Sequence, residues 1–134
     1  MNVIDLNNNS SKWQMKGTIV NADTRPRSEL HLEARKIIRS VFPTMQLLEE
    51  VGIEPIKYKH LSLDFNIPLR KLAIEVQGQQ HFNFNPFFHK SRADFINSKK
   101  NDRMKREWCE INNIALVALI YNEQDNWKNQ LTPK

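Results

Sequence analysis

The residues best suited to chemistry sit on one alternating stretch of the chain. Leu61-Ser62-Leu63-Asp64-Phe65-Asn66-Ile67 is apolar at odd positions and polar at even ones. After Pro68-Leu69-Arg70, the run Lys71-Leu72-Ala73-Ile74-Glu75-Val76-Gln77 alternates again. This pattern predicts a β-hairpin with Leu61, Leu63, Phe65 and Ile67, then Leu72, Ile74 and Val76, on one apolar face. Asp64, Glu75 and Gln77 then project from the other face, and the short turn lets the two acids approach each other. Like charges on neighbouring strands repel. A Mg²⁺ (or Mn²⁺) ion removes that conflict, because such an ion takes oxygen ligands, commonly one or two carboxylates completed by water and phosphate oxygens. It would activate water and stabilise charge on a phosphodiester. Polar residues on the outer face of a hairpin often do no more than meet solvent, so the pair alone does not decide.

Its surroundings point further. A preceding helix offers Glu29 and Glu33, one turn apart. The loop directly after the second strand presents His81. The next helix carries Asn101-Asp102 inside a basic run, Lys99, Lys100, Arg103, Lys105 and Arg106. Carboxylates among cations suit a phosphodiester better than a sugar or a peptide. The whole chain is also basic: 134 residues with 20 Lys plus Arg against 15 Asp plus Glu, a net charge of +5. That balance favours nucleic acid as partner. Lys12, Lys16, Arg25 and Arg27 in the N-terminal region, with the basic helix, are the expected phosphate-gripping residues.

Composition narrows the class. Hydrophobic residues at 40% and charged residues at 26% exclude wholesale disorder. A single cysteine, Cys109, excludes an internal disulfide framework and cysteine-rich zinc sites. It fits a reducing, intracellular compartment. The N-terminus lacks the basic and apolar regions of a secretory signal. The longest apolar run, Ile114–Tyr121, is far short of the roughly 20 residues of a membrane span.

The elements that must position these residues follow from periodicity. Residues 1–27 show none and read as an arm or linker, with a short strand at Lys16–Val20 as its only candidate element. Ser28 is an N-cap, and Leu30, Ala34, Ile37, Ile38 and Val41 give a helix one apolar face up to Phe42-Pro43. Met45–Ile53 reads as a strand, with a helix extension as competitor. The hairpin follows, then a loop over 79–97 dense in Phe, Asn and His. A charged helix from about Ser98 to Asn112 turns Met104, Trp108 and Ile111 inward. Ile114–Tyr121 reads as a strand covered on both faces, and Asn122–Leu131 as a closing helix carrying Trp127. The order predicts an α/β sandwich around a mixed sheet.

An early helical Glu, then Asp and Glu about ten residues apart on a hairpin, then a helix and a buried strand, resembles the core of the PD-(D/E)XK nuclease superfamily. The matching residues are Glu29, Leu63-Asp64 and Glu75-Val76-Gln77. Over roughly residues 28–121 the chain is similar to the small branch that holds very-short-patch mismatch repair nickases and phage- or intron-associated homing endonucleases. The resemblance implies a restriction-endonuclease-like core, a mixed four-stranded sheet flanked by helices in the order αβββαβ, occupying residues 28–134. It implies a Mg²⁺-dependent endonuclease hydrolysing double-stranded DNA, of the site-specific homing kind. The alternatives are a mismatch- or structure-specific nickase or resolvase, and a DNA-binding module on a degenerate nuclease core. By the resemblance, Glu29, Asp64 and Glu75 hold the metal, His81 acts as general base or phosphate-side acid, and Asp102 orients His81 or makes an outer contact to the metal. Leu63 stands where the family has Pro, and Gln77 stands where it has its catalytic Lys. Gln77 would then orient the nucleophile, or His81 or a Lys of the 99–105 helix would supply the missing charge.

The remaining residues have plainer expectations. His31 reads as structural, His60 as solvent-facing, and Cys109 as a small buried side chain. Phe82, Phe84, Phe87, Phe88 and Phe95 are too many for a solvated loop and read as core cover or interface. One small domain has one catalytic centre, so cutting both strands calls for a homodimer or homotetramer. The Phe-rich loop at 82–95 and the C-terminal helix with Trp127 are the expected contact surfaces.

Overall fold

The structure, a computed structural model, describes residues 1–19, 27–79, 82–83 and 91–132. Ser28 caps the first helix, α1 (Glu29–Val41), by accepting a hydrogen bond from the His31 N–H at 3.2 Å. Ala34 and Ile38, one turn apart, are buried on its inner side. Three antiparallel strands follow: β4 (Leu48–Ile56), β5 (Lys59–Ile67) and, after a 3₁₀ turn at Pro68–Arg70, β6 (Leu72–Gln77). Tyr58, at φ 67°, takes the left-handed conformation that reverses the chain between β4 and β5. Helix α2 (Arg92–Ile111) then carries the chain over the sheet so that β7 (Ala115–Ile120) pairs parallel to β6, and α3 (Gln124–Leu131) closes the domain. Before all of these come β1 (Asn2–Ile4), β2 (Ser10–Lys12) and β3 (Thr18–Ile19).

The main sheet has five strands in the order β3-β4-β5-β6-β7, one more than expected because β3 adds to the β4 edge. The expected succession of helix, three strands, helix and strand is present, with α3 appended. Two apolar clusters cover its faces. Ala34, Ile38, Phe65, Ile67, Ile74, Leu119, Trp127 and Leu131 fill the space under α1 and α3. Val3, Ile53, Leu63, Ala73, Trp108, Cys109 and Ile114 fill the space under α2. No helix among the described residues is long and apolar enough to cross a membrane.

Several expectations are corrected. The apolar residues of β5 do not share one face: Leu61 and Leu63 join the α2 cluster, whereas Phe65 and Ile67 join the α1 cluster. The switch falls at Asp64. Opposite it, Glu50 has φ 52°, and the β4–β5 ladder runs from Glu49↔Phe65 to Val51↔Leu63 with no rung between. A left-handed residue opposite a missing rung breaks the two-residue period. Helix α2 begins well before Ser98, at Arg92, capped by Ser91 accepting from the Asp94 N–H. Ile111 is exposed, and Asn112 is buried in its place, bonded to both backbone groups of Ile4. Strand β7 is an edge strand and is not enclosed between neighbours. Trp127 is 0% exposed, so the closing helix offers no tryptophan to a partner.

The first nineteen residues are not an arm. Val3 is buried, and the Trp13 ring meets Trp108 edge-on at 5.0 Å while its Nε1–H donates to the Gly52 carbonyl at 3.0 Å. Gly17 permits the close approach to β4: a Cβ there would stand 2.7 Å from Val51 Cγ2 and 2.8 Å from the Glu49 carbonyl. Trp13→Ala should therefore cost about 2 kcal/mol of stability, less than a fully buried tryptophan because the ring is half-exposed. Urea denaturation checks this, and an unchanged midpoint would show that the segment merely rests on the surface.

Candidate active site

Asp64 and Glu75 lie one position beyond the last rung of the β5–β6 ladder, Phe65↔Ile74. Where the strands part, side chains take over from backbone. Asp64 Oδ2 accepts from the Val76 N–H at 2.8 Å, and Glu75 Oε2 accepts from the Asp64 N–H at 3.0 Å. Each acid thus satisfies an amide that the splitting of the sheet leaves unpaired. Glu75 is 6% exposed, and its other oxygen, Oε1, is 2.7 Å from Lys105 Nζ on α2. Asp102, one turn earlier on α2, is close enough to act on the Lys105 charge. An open cleft of about 540 Å³, lined by His60, Leu61, Ser62, Ser98, Asn101, Asp102 and Lys105, leads from this cluster to solvent.

The electrostatics follow from counting charges. Three carboxyl groups share one ammonium. Burial, and next the Asp64 charge, push the Glu75 carboxyl up to about 8 against the pull of Lys105. Burial works against the Lys105 charge, but Glu75, Asp64 and Asp102 outweigh it and hold the ammonium above its ordinary range. The cluster as it stands is short of positive charge. Burial, and then Glu75, push the Cys109 thiol up to about 12, so it stays protonated and is no nucleophile.

A pH dependence follows. The folded chain holds the Glu75 proton up to about 8 whereas an ordinary carboxyl releases it near 4.5. Between those values the unfolded chain binds fewer protons, so stability is greatest at the acidic end and falls as pH rises through the window. One proton gives at most about 1.4 kcal/mol per pH unit. Thermal melts of metal-free protein from pH 5 to pH 8 should show this decline, and Glu75→Gln should flatten it. An equal slope in the variant would assign the proton to another group.

The sequence-predicted residues are distributed as follows. Asp64 and Glu75 meet, as the hairpin required. Glu29 is exposed on the first turn of α1, which packs on the other face of the sheet, and it makes no bond to either acid. Gln77 is half-buried and shares the Glu75 face by alternation, and its side chain makes no hydrogen bond. Asp102 stands on the cleft wall. His81 and Arg25 lie outside the described residues, as do Phe84, Phe87, Phe88 and His89. Among the described residues, no group of three or more His, Cys, Asp or Glu side chains is arranged to hold a metal ion.

The basic residues also divide. Lys12, Lys16, Lys100, Arg103 and Arg106 are exposed. Lys99 lies over the Phe82 and Phe95 rings at 5.0 and 5.8 Å. Arg27 is committed elsewhere: it pairs with Glu50, and with the fully buried Glu49 at 3.4 Å. Glu49 also binds Arg35 through Nε at 2.7 Å and Nη2 at 2.8 Å, and His31 Nε2 at 3.0 Å. His31 stacks on Phe65 at 4.5 Å, so it is structural as expected, and the cluster pins α1 to β4. The sequence reading missed this cluster. It also placed Lys105 among the phosphate-gripping residues, although Lys105 stands one turn before the inward Trp108 and Cys109.

No protein-family model matches the chain, and no solved structure matches it. Three viral proteins do. Uncharacterized protein 307L of Invertebrate iridescent virus 6 is 38% identical over 66 residues, 49% of this chain and 34% of that protein. Uncharacterized protein 033L of Invertebrate iridescent virus 3 is 34% identical over 92 residues, 67% of this chain and 47% of that protein. Uncharacterized protein 094L of Frog virus 3 is 34% identical over 74 residues, 54% of this chain and 48% of that protein. The matched segments span about half the length of these curated relatives, or less.

Proposed function

We propose that the chain is a metal-dependent DNA endonuclease on a restriction-endonuclease-like core, similar to the PD-(D/E)XK nucleases. The observation that carries this reading is the Asp64–Glu75–Lys105 cluster at the point where β5 and β6 part. It restores the acid, acid and lysine chemistry of such a site, with the lysine coming from α2 instead of the position of Gln77.

The donors fit Mg²⁺ or Mn²⁺. They are hard carboxylate oxygens, and Asp64 Oδ1 is uncommitted among the described residues. The raised Glu75 carboxyl marks a site that gains from added positive charge. Asp64 and Glu75 would hold the ion, with water and phosphate oxygens completing its shell. Bound there, the ion supplies a Lewis acid and lowers the pKa of a coordinated water.

The chain's own residues do the rest. Lys105, fixed against Glu75 and kept charged by three acids, stands at the cleft wall to face the charge that builds on a phosphate in the transition state. Gln77, on the same face, is placed to hydrogen-bond a water. Lys100, Arg103 and Arg106 on α2, with Lys12 and Lys16, offer exposed cations to flanking phosphates. Site-specific cutting of the homing kind is the finer reading.

Incubation with supercoiled plasmid tests it. Nicked and then linear DNA should appear with Mg²⁺ or Mn²⁺ and vanish with chelator. Intact plasmid under both metals would overturn the reading in favour of a binding module. Nicked product alone would favour the nickase.

A further inference from the structure

The two edges of the main sheet are treated differently. Along β4 the outer edge is guarded: the Leu6 N–H donates to the Pro55 carbonyl at 2.7 Å, the Gly52 N–H to the Lys16 carbonyl at 3.4 Å, and Trp13 Nε1 to the Gly52 carbonyl. At the other edge, β7 reads Ala115-Leu116-Val117-Ala118-Leu119-Ile120. It has no charge, no proline, no glycine and no bulge, so none of the devices that keep an edge strand from pairing is present.

Its outward groups can be identified. The Ala115 N–H donates to the Lys71 carbonyl and the Tyr121 N–H to the Gln77 carbonyl, both at 2.9 Å toward β6. Alternation along a parallel ladder then turns the N–H and C=O of Leu116, Ala118 and Ile120 away from β6. The Ile120 carbonyl is occupied, by the Glu123 N–H at 3.0 Å and Trp127 Nε1 at 2.9 Å. Leu116 and Ala118 keep their N–H and C=O groups without a protein partner, on a half-exposed apolar strip.

We propose that this edge pairs with the same edge of a second copy, antiparallel, about a two-fold axis through Val117. In that register Leu116 of each copy lies opposite Ala118 of the other. Antiparallel partners of this type exchange both N–H···O=C bonds, so the free groups of each copy satisfy those of the other and the Ile120 carbonyl keeps its present bonds. Val117 meets Val117 of the second copy, a β-branched pair favourable across strands. The uncharged strand places no like charges opposite each other. This self-complementarity selects a second copy over an unrelated strand, which would have no reason to match free groups spaced two residues apart. The contact uses neither Trp127 nor the Phe-rich loop.

The axis is normal to the sheet, so both α2 clefts face the same side, with the two β6 strands about three strand spacings, roughly 14 Å, apart. On the endonuclease reading, and only this consequence rests on it, one assembly would address both strands of a duplex from one side.

Light scattering and amide hydrogen exchange of the metal-free chain, without DNA, test the pairing independently of any cleavage. The wild type should be dimeric at micromolar concentration, with the Leu116 and Ala118 amides protected and losing protection on dilution. Ala118→Pro removes an outward donor with no partner inside the chain, so it should keep the native circular dichroism and weaken the dimer at least about tenfold. A monomeric wild type with both amides exchanging freely would overturn the proposal and hand the edge to a strand of another protein. A dimer with those amides unprotected, or a folded Ala118→Pro that dimerises like the wild type, would overturn it equally. If the variant does not fold, protection of the two wild-type amides decides alone.

Discussion

Asp64→Asn and Glu75→Ala should each reduce metal-dependent DNA cleavage by about 10³-fold or more, to background in most assays. The two acids are the only carboxylates facing one another where β5 leaves β6, and the site holds no third acid among the described residues to substitute for either. Asp64→Asn is the cleaner variant, since an amide oxygen still accepts from the Val76 N–H while the charge is lost. Glu75→Ala leaves the Lys105 ammonium half-buried without its nearest partner, so its folding must be checked by circular dichroism. DNA binding by both variants should hold or tighten in a gel-shift assay, because a negative charge facing phosphate has been removed. A variant that cuts at the wild-type rate would show that the chemistry happens elsewhere.

Lys105→Met should lose about 10²-fold or more in cleavage rate, and Gln77→Ala less than about tenfold. The contrast reverses the weight that the position of Gln77 suggests. Lys105 has its Nζ 2.7 Å from Glu75 and is held charged by three acids, whereas the Gln77 side chain makes no hydrogen bond in the site. Methionine preserves most of the lysine stem and its packing, so the loss reports the ammonium itself. A single-turnover assay with saturating protein separates this from weaker binding: the rate should fall while the half-saturating concentration changes little. If Lys105→Met cleaves normally and Gln77→Ala does not, the role returns to Gln77.

Much of this arrangement was legible before any coordinates. The helix, three strands, helix and strand came from local periods of about 3.6 and 2, and a local period needs no knowledge of neighbours. The Asp64–Glu75 pair came from the same source, because a short turn between alternating strands leaves few registers. The Ser28 cap is likewise a local matter of one side chain meeting the third N–H along.

What the sequence by itself did not determine were the features set by residues distant along the chain. Alternation in β5 fails at Asp64 because Glu50, on the neighbouring strand, adopts a left-handed conformation, and nothing in residues 61–67 announces it. The N-terminal stretch lacks periodicity because its strands are two or three residues long and are held by Trp108, Gly52 and Pro55, far away in sequence. An apolar run such as Ile114–Tyr121 reads the same at the centre or the edge of a sheet, and only the pairing of β6 with β7 on a single side decided it. Lys105 looked like one cation among many. The crossover of α2 above the parting strands put its ammonium against Glu75, and an ion pair between residues thirty positions apart follows from packing, which no local pattern encodes.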